Sequence, residues 1–315
     1  MRGRKHPQNS FGDWELSQRV PKEHFLLKIN ARINWQPCEE LLAPLYHPYL
    51  GRPSHPPLVM FKALLLQRWY DLSDPGLEEA IRDRLSFLRF LGLSLHDPVP
   101  DETCFCRFRG VLADKGLAER LFKLLEQQLE ALGLLVRRGT IIDATLVQAH
   151  NRPGTPTRPS VDGEAAWVRQ GKKSVFGYKA HVAVDQESGL VRRLALTPAN
   201  VPETLSFEAV LPGDEAAVFA DRAYDRFDRR ADLRRRGVFC GILARPSKRP
   251  LSAGQRLRNR LWERVRRAIE RVNGTFKRHY GLARFFYVGL KRNLCHVWLV
   301  GICYNLKKML VLQQD

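Results

Sequence analysis

Residues 139–149 read GTIIDATLVQA, and residues 176–185 read FGYKAHVAVD. The first stretch is a short β-branched run that ends in polar residues, which is typical of a strand. In the second, Val182 and Val184 alternate along the chain, and the turn sequence QESG at residues 186–189 leads into the extended run LVRRLALTPAN. This part of the chain therefore predicts one strand followed by a β-hairpin.

The chain beyond the hairpin alternates helical and extended patterns. A helix is predicted around Glu203–Leu211, then a fourth strand in AAVFADRAY at residues 216–224, an arginine-rich helix and a short strand. A basic loop follows, and it leads to a long final helix through ERVRRAIERVNGTFKRHY. Three strands, a helix, a strand and then helices predict a mixed α/β sheet rather than a repeated βαβ unit.

The charge of the chain indicates the class of its partner. Its 315 residues include 52 Lys and Arg against 33 Asp and Glu, a net charge of +19. Such a balance favours nucleic acid first and an anionic membrane surface second. The longest apolar run, Asn293–Met309, is interrupted by polar residues and falls short of the roughly 18 residues of a membrane span. No apolar stretch follows the basic N-terminus, so we expect a cytoplasmic, nucleoid-associated protein without a membrane partner.

The region before the predicted sheet has a different sequence pattern. Residues 1–50 are irregular and mildly basic, and the sequence GRPSHPP at residues 51–57 marks a loop. Apolar residues then recur at helical spacing, in short helices that contain arginines and are joined by tight turns. We predict a helical DNA-binding domain at residues 51–135, with a plain helical bundle as the alternative, and a separate α/β domain at residues 136–315.

Three acidic residues stand where a metal-dependent reaction would need them. Asp143 lies within the first strand, Asp221 at the end of the fourth, and Glu270 on the last helix among arginines. If the two strands are neighbours, as in a ribonuclease-H-like sheet, the aspartates lie side by side. Such oxygen ligands suit two Mg²⁺ or Mn²⁺ ions, which promote phosphodiester displacement. Taken alone, each aspartate is equally explained as a strand-end turn or cap residue, and Glu270 as a salt-bridge partner of Arg266 or Arg267.

The spacing around Glu270 adds to this interpretation. Arg266 comes four residues before it and Lys277 seven residues after it, so the three side chains share one helical stripe. One metal-binding acid between two cations fits a helix that lies along a phosphate backbone, where the acid holds the metal and the cations hold the strand. We therefore predict that Arg266 and Lys277 contact DNA.

Several short motifs, taken together, carry a family resemblance. They are GRP (51–53), LSD (72–74), FLRFL (87–91), PVPD (98–101), FCRFR (105–109), IIDATLVQA (141–149), FGYKAH (176–181) and ADRAYD (220–225). With them, the chain resembles bacterial insertion-sequence transposases of the insertion sequence five family, within the DDE superfamily. The resemblance runs from about Val20 to Leu310. The family signature Tyr-x2-Arg-x3-Glu-x6-Lys is also present, except that Glu263 replaces the tyrosine.

The resemblance implies a ribonuclease-H-like catalytic domain in which Asp143, Asp221 and Glu270 are the catalytic, metal-binding acids. It implies that water attacks a phosphodiester at each end of the element, at its terminal inverted repeats, and that the freed 3′-OH then attacks target DNA. Two metal ions serve both steps. Because two element ends have to be paired, at least a homodimer is expected in the DNA complex.

Further residues are weaker candidates for DNA contact. Lys179 and His181 alternate on one strand and share a face, which is either directed to DNA or simply an exposed polar face. Within the FCRFR motif, we also predict that Arg107 and Arg109 bind DNA. The arginines at 229–236 fit either a DNA contact or a solvated helix face.

Two further acids are assigned to structure. Asp185 precedes the turn of the hairpin and is predicted to be a turn residue. Asp225 is predicted to cap the helix that follows it. Two other functions remain open beside a transposase: a domesticated, transposase-derived DNA-binding regulator, and a ribonuclease-H-like nuclease without strand transfer. The intact acids disfavour the regulator, and the helical N-terminal module disfavours the simple nuclease.

Overall fold

The computed structural model describes residues 14, 18–47, 54–151, 153–155, 158–171, 173–246 and 250–313. The chain divides into two compact units. One comprises Met1–Leu132 together with Trp298–Asp315 and is helical, and the other comprises Gly133–Val297 and holds a sheet. The predicted division assigned all of residues 136–315 to one domain. The two divisions differ in Trp298–Asp315, because a sequence pattern does not reveal which core a segment will join.

The helical unit consists of short helices joined by tight turns. In chain order they are α1 (Phe25–Arg32), α2 (Gln36–Leu42), α3 (Pro57–Trp69), α4 (Asp74–Asp83), α5 (Leu85–Leu91), α6 (Glu102–Asp114) and α7 (Leu117–Ala131). Almost every residue of α3 is buried, as expected for a helix that is apolar on all sides. The indole N–H of Trp69, at the end of α3, donates to the carbonyl of Cys303 at 3.0 Å, so the C-terminal segment is hydrogen-bonded into this core.

The second unit is built on a six-stranded mixed sheet. Its strands are β1 (Thr140–Gln148), β2 (Ala166–Gln170), β3 (Lys173–Asp185), β4 (Val191–Pro198), β5 (Ala217–Ala220) and β6 (Phe239–Ile242). The order is β2-β3-β1-β5-β6, with β4 also paired to β3. β1 is antiparallel to β3 and parallel to β5, and β5 is parallel to β6. This mixed α/β arrangement, preceded by a helical region, confirms the predicted ribonuclease-H-like fold class.

Two local predictions in this unit are wrong. Between the predicted first strand and the hairpin lies a further strand, β2, which was not predicted and which pairs with the beginning of β3. The helix predicted around Glu203–Leu211 consists instead of two short 3₁₀ turns, Glu203–Ser206 and Glu208–Val210. Leu211 precedes a proline and is extended, which ends the segment before a full α-helix can form.

Three further helices belong to the second half of the chain. They are α8 (Phe227–Arg235), α9 (Ala253–His279) and α10 (Leu290–Leu312). Helix α9 begins with a capping box, in which Ser252 and Gln255 each accept the other's backbone N–H. A buried apolar cluster that includes Ile142, Val218 and Phe207 joins β1 and β5 to the segment after β4. This core fixes the two central parallel strands against each other.

Helix α10 is apolar enough to require comment. In the described part of the chain it is the helix that could cross a membrane by length and composition, with a mean hydropathy of 1.2. However, 67% of that stretch is buried inside the protein. This is the environment of a core helix in a folded unit.

Candidate active site

The parallel pairing of β1 and β5 positions two aspartates side by side. Ile142 lies opposite Ala220 in the register, so Asp143 and Asp221, the residues that follow, are at the same level of the sheet. Beyond β5 the chain turns into a 3₁₀ segment whose N-cap is Asp221, and Asp221 Oδ1 accepts the N–H of Arg222 at 2.7 Å. The structure thus brings together the first two acids that the sequence singled out.

Helix α9 supplies the residues that contact this carboxylate pair. The guanidinium of Arg266 lies between the aspartates, with Nη2 at 3.3 Å from Asp143 Oδ1 and Nη1 at 3.5 Å from Asp221 Oδ1. Asn273, seven residues later on the same helix face, donates from Nδ2 to Asp143 Oδ2 at 3.1 Å. Arg266 and Asn273 are both buried. The predicted stripe of α9 therefore faces the acids, and it includes Asn273, which was not predicted.

The surroundings of Asp143 disfavour its ionised form. Burial is the main cause that raises its pKa, and the charges of Glu203 and Asp221 raise it as well. The Arg266 charge lowers it, and the net pKa is about 6. Burial also lowers the pKa of Lys277, and the Asp143 charge opposes that shift. Lys277 is therefore within electrostatic reach of the aspartate, as the helical stripe predicted.

A second group of residues lies behind the pair and was not predicted. Glu203, in the turn after β4, lies 3.7 Å from Nζ of Lys179, measured to its Oε1. Tyr224 is fully buried, and its hydroxyl has no hydrogen-bond partner within the described part of the chain. Burial and the charges of Glu203 and Asp143 raise the pKa of Tyr224. Only the fold could reveal this group, because its members come from three separate segments.

Glu270 is placed differently from the other two acids. Its side chain is exposed, one helical turn after Arg266, and it makes no contact with the aspartate pair. Among the residues that the structure describes, no three His, Cys, Asp or Glu side chains lie close enough to hold a metal ion. The structure therefore brings Asp143 and Asp221 together and leaves Glu270 at the rim.

The residues present nevertheless fit a divalent cation. Asp143 and Asp221 direct carboxylate oxygens, the hard ligands that Mg²⁺ and Mn²⁺ prefer, at one shared point. The Arg266 guanidinium stands at that point, which shows that a cation is favourable there. One guanidinium facing two carboxylates leaves the pair with an excess of negative charge.

Two of the predicted DNA contacts on β3 are internal. His181 is fully buried, its Nε2 is 2.9 Å from Thr197 Oγ1, and burial lowers its pKa to about 4, so the ring is neutral at pH 7. Lys179 is buried too, and its ammonium donates to the carbonyl of Val201 at 2.9 Å. The two do share a face, but it is an inward one, which corrects the expectation that they contact DNA.

The two arginines of the FCRFR motif differ from each other. Arg107 is exposed on α6. Arg109 is buried, and its Nη2 donates to Asp74 Oδ2 at 2.6 Å and to Oδ1 at 2.8 Å. Its guanidinium thus ties α6 to the first turn of α4. The prediction of DNA contact is therefore corrected for Arg109, whose charge is engaged inside the helical unit, and is untested for Arg107.

The remaining acids have structural roles. Asp185 accepts N–H groups of Ser188 and Arg137 at 2.8 and 3.0 Å, which confirms its predicted role in the hairpin turn. Asp225 does not cap α8. It pairs with Arg230 at 2.6 Å and accepts the N–H of Arg245 at 2.8 Å.

A ribonuclease-H-like sheet with an acid pair at β1 and β5 is the framework of enzymes that cut and join DNA strands. Comparison with known families agrees with this class. The sequence profile described as "Transposase DDE domain" matches residues 135–306, and the profile described as "Transposase domain (DUF772)" matches residues 14–110. The first match covers more than half of the chain. The chain therefore belongs to the DDE transposase family, and it is a DNA transposase.

Two solved transposase complexes match this chain at low sequence identity and with low TM-scores. The cryo-EM structure of a piggyBac transposase synaptic complex with hairpin DNA is 9% identical, with a TM-score of 0.46 over 89% of this chain and 71% of that one. The Mos1 mariner paired end complex with Mn is 12% identical, with a TM-score of 0.21 over 86% of this chain and 95% of that one. No residue role in this chain rests on these similarities.

The family membership sets the coarse chemistry. A DDE transposase cuts and joins DNA, its partner is DNA, and the family generally uses divalent metal ions. The acid pair beside Arg266 is the part of this structure that fits such a requirement.

Proposed function

We propose that this protein binds the terminal inverted repeats of its own insertion element, hydrolyses phosphodiesters at the element ends, and joins the freed 3′-OH to target DNA. We further propose that it belongs to the insertion sequence five family and acts on two Mg²⁺ or Mn²⁺ ions. The observation that carries the proposal is the placement of Asp143 and Asp221 at one level of neighbouring strands, with a single guanidinium between them.

In this proposal, each residue of the site has a defined task. Asp143 and Asp221 hold the metal ions, and the amide of Asn273 keeps the Asp143 carboxylate oriented. Arg266 offsets part of the charge of the two acids, and its guanidinium would be available to a DNA phosphate when the acids hold metal. The bound ions supply activation of the attacking oxygen and stabilisation of the leaving one.

Glu270 is proposed as the third acid because of its position on α9. A separation of four residues places it about 40° around the helix from Arg266, on the side of α9 that borders the acid pair. Its exposure leaves it accessible to a metal ion brought in with DNA. Lys277, on the same stripe, is proposed to contact the DNA backbone.

The remaining features of the proposal concern the assembly. Recognition of the element ends is assigned to the helical region, residues 51–135, in which Arg107 is exposed. Two ends have to be held for one reaction, so we propose a homodimer in the DNA complex. The net charge of +19 supports binding to the nucleoid in the cytoplasm.

The test is cleavage of duplexes that contain the ends of the DNA flanking the gene, with Mg²⁺ and purified full-length protein. Metal-ion stabilisation is worth several kcal/mol, and each 1.36 kcal/mol is tenfold in rate, so Asp143→Asn, Asp221→Asn and Glu270→Gln should each slow cleavage by about a thousandfold.

Matched controls come from acids outside the site. Asp228→Asn and Glu187→Gln change exposed carboxylates that pair with Arg226 and Arg138, and both variants should cleave at the wild-type rate. Wild-type cleavage that survives all three site substitutions would overturn the proposal. Specific end binding by the wild type without any cleavage would favour the transposase-derived regulator instead.

A further inference from the structure

The sheet unit has a cleft whose lining is close in sequence to the acid pair. It is a cleft of about 770 Å³ between the edge strand β6, the end of α8 and the first turns of α9. Asp225, four residues after Asp221, lines it, and so does Trp262, one helical turn before Arg266. Two segments therefore lead from the acid pair directly into this cleft.

The cleft presents two aromatic rings. The centroids of Phe239 and Trp262 are 6.0 Å apart, and the ring planes meet at 88°. Phe239 is 53% exposed, and Trp262 is half-buried. In an edge-to-face pair of this kind the ring faces are not stacked on each other, so an open face remains for a flat ligand.

Three arginines surround these rings. Arg234, Arg245 and Arg258 line the cleft, and all are exposed. Their guanidinium groups have no ion-pair partner among the described residues. This sets them apart from their neighbour Arg230, which is bound to Asp225, the acidic residue of the described lining. The cleft therefore has uncompensated positive charge next to exposed aromatic surface.

We propose that this cleft binds one unpaired base of a DNA strand, stacked on Trp262 or Phe239, with its flanking phosphates on Arg234, Arg245 and Arg258. The inference rests on the proposed function, since the strand concerned is the one held at the acid pair. Aromatic faces combined with cations are the usual platform for single-stranded nucleic acid, and the volume suits a ligand of nucleotide size. A base within a duplex is stacked on both faces and offers none to a protein ring.

The experiment uses full-length protein without divalent metal, so that binding is measured independently of cleavage. Fluorescence anisotropy is recorded with a labelled single-stranded oligonucleotide of mixed sequence, with the corresponding duplex, and with the same strand made abasic. Loss of one stacked base should lower affinity about tenfold, so Trp262→Leu should weaken single-strand binding by that factor and leave duplex binding unchanged. The abasic strand should bind wild type as weakly as the intact strand binds the variant.

Matched controls separate this cleft from general surface effects. Trp167→Leu removes a tryptophan that is 52% exposed elsewhere in the same unit, and it should not change binding. Arg258→Gln should weaken single-strand binding, whereas Arg256→Gln, two residues away and on another face of α9, should not. Trp262→Phe retains an aromatic face and should bind nearly as wild type, which also controls for folding.

The outcomes distinguish the two proposals. Equal losses with Trp262→Leu and Trp167→Leu, or equal binding of abasic and intact strands, would overturn the base-binding cleft while leaving Asp143-dependent cleavage intact. Selective loss with Trp262→Leu in a protein that does not cleave DNA would support the cleft and count against the proposed function.

Discussion

Each of the two units contains an arginine that contacts an aspartate on another element. The two contacts differ in how far the positive and negative charges are matched. In the helical unit, Arg109 engages both oxygens of Asp74, at 2.6 and 2.8 Å. In the sheet unit, Arg266 is divided between Asp143 and Asp221, at 3.3 and 3.5 Å. The first contact matches one charge with one charge. The second sets one guanidinium against two acids, and this deficit is what a divalent cation would remove.

The comparison separates a structural ion pair from a site prepared for a ligand. Short, bidentate geometry and burial make the Arg109–Asp74 pair part of the scaffold. The contacts of Arg266 are longer, and burial that raises the pKa of Asp143 to about 6 disfavours the ionised form of that carboxylate. The pairing of β1 with β5 and the packing of α9 impose the positions of Asp143 and Asp221 despite this cost in free energy.

The largest difference should appear when each arginine is removed. Arg109→Leu leaves Asp74 without its partner, and breaking a buried pair in this way costs about 3–5 kcal/mol of unfolding free energy. Arg266→Leu should cost about 1 kcal/mol, because Asp143, whose pKa is already raised, can take up a proton, and Asp221, whose side chain is 37% exposed, stays hydrated. Urea denaturation of both variants measures this. Equal losses would remove the distinction between the two pairs.

Metal addition should also affect the two ion pairs differently. A ligand that binds only the folded state stabilises it by about 2.7 kcal/mol at a hundredfold excess over its Kd, so Mn²⁺ should raise the melting temperature of the wild type. The same titration should have little effect on Asp143→Asn and its full effect on Asp74→Asn, measured from each variant's own baseline. A rise that survives Asp143→Asn would place the metal elsewhere.

The last predicted change is that of the unfolding free energy when Asp143 ionises. The pKa of Asp143 in the folded state, about 6, lies above its ordinary value of 3.8, so the folded protein binds the extra proton more tightly. Stability from this group is therefore complete below pH 4 and is lost as the pH rises through 6.

Asp143→Asn removes that loss and should stabilise the metal-free protein at pH 7, but not at pH 4, by at most about 3 kcal/mol, since the rise of the pKa from 3.8 to about 6 corresponds to about 1.4 kcal/mol per pKa unit. Asp74→Asn should destabilise it at pH 7. The measurement is urea denaturation at both pH values without metal. A destabilised Asp143→Asn protein at pH 7 would show that the acid is satisfied in the folded state.

Much of the site was accessible from sequence because its signals are local. The strand around Asp143, the strand that ends at Asp221 and the stripe of α9 with Arg266 each have a periodicity within a few residues. That the two strands are neighbours was only a condition of the prediction, and the sheet, in which β1 pairs with β5, fulfils it. The residues missed, Asn273, Glu203 and Tyr224 among them, have no local signal, since only the approach of separate segments makes them part of the site.

The errors have the same physical origin. An arginine in a helical pattern looks identical whether it faces water or a carboxylate, and Arg109 has its partner 35 residues away. His181 alternates with apolar residues as an exposed residue would, and the burial of both faces of β3 became visible only with the sheet assembled. Residues 298–315 lie beyond the helix predicted to be the last, mostly in an interrupted apolar run, and the sequence did not indicate which unit they would join.

The amino-acid sequence was sufficient to predict most elements and the mixed α/β class of this transposase, because strand and helix periodicities and turn signals act over short distances. It also determined the excess of positive charge and which acids were candidates. Tertiary structure alone decided which charges are neutralised, which remain exposed around the cleft at Trp262, and that two acids share one guanidinium. Those properties depend on distances between remote segments, and such distances exist only once the chain has packed.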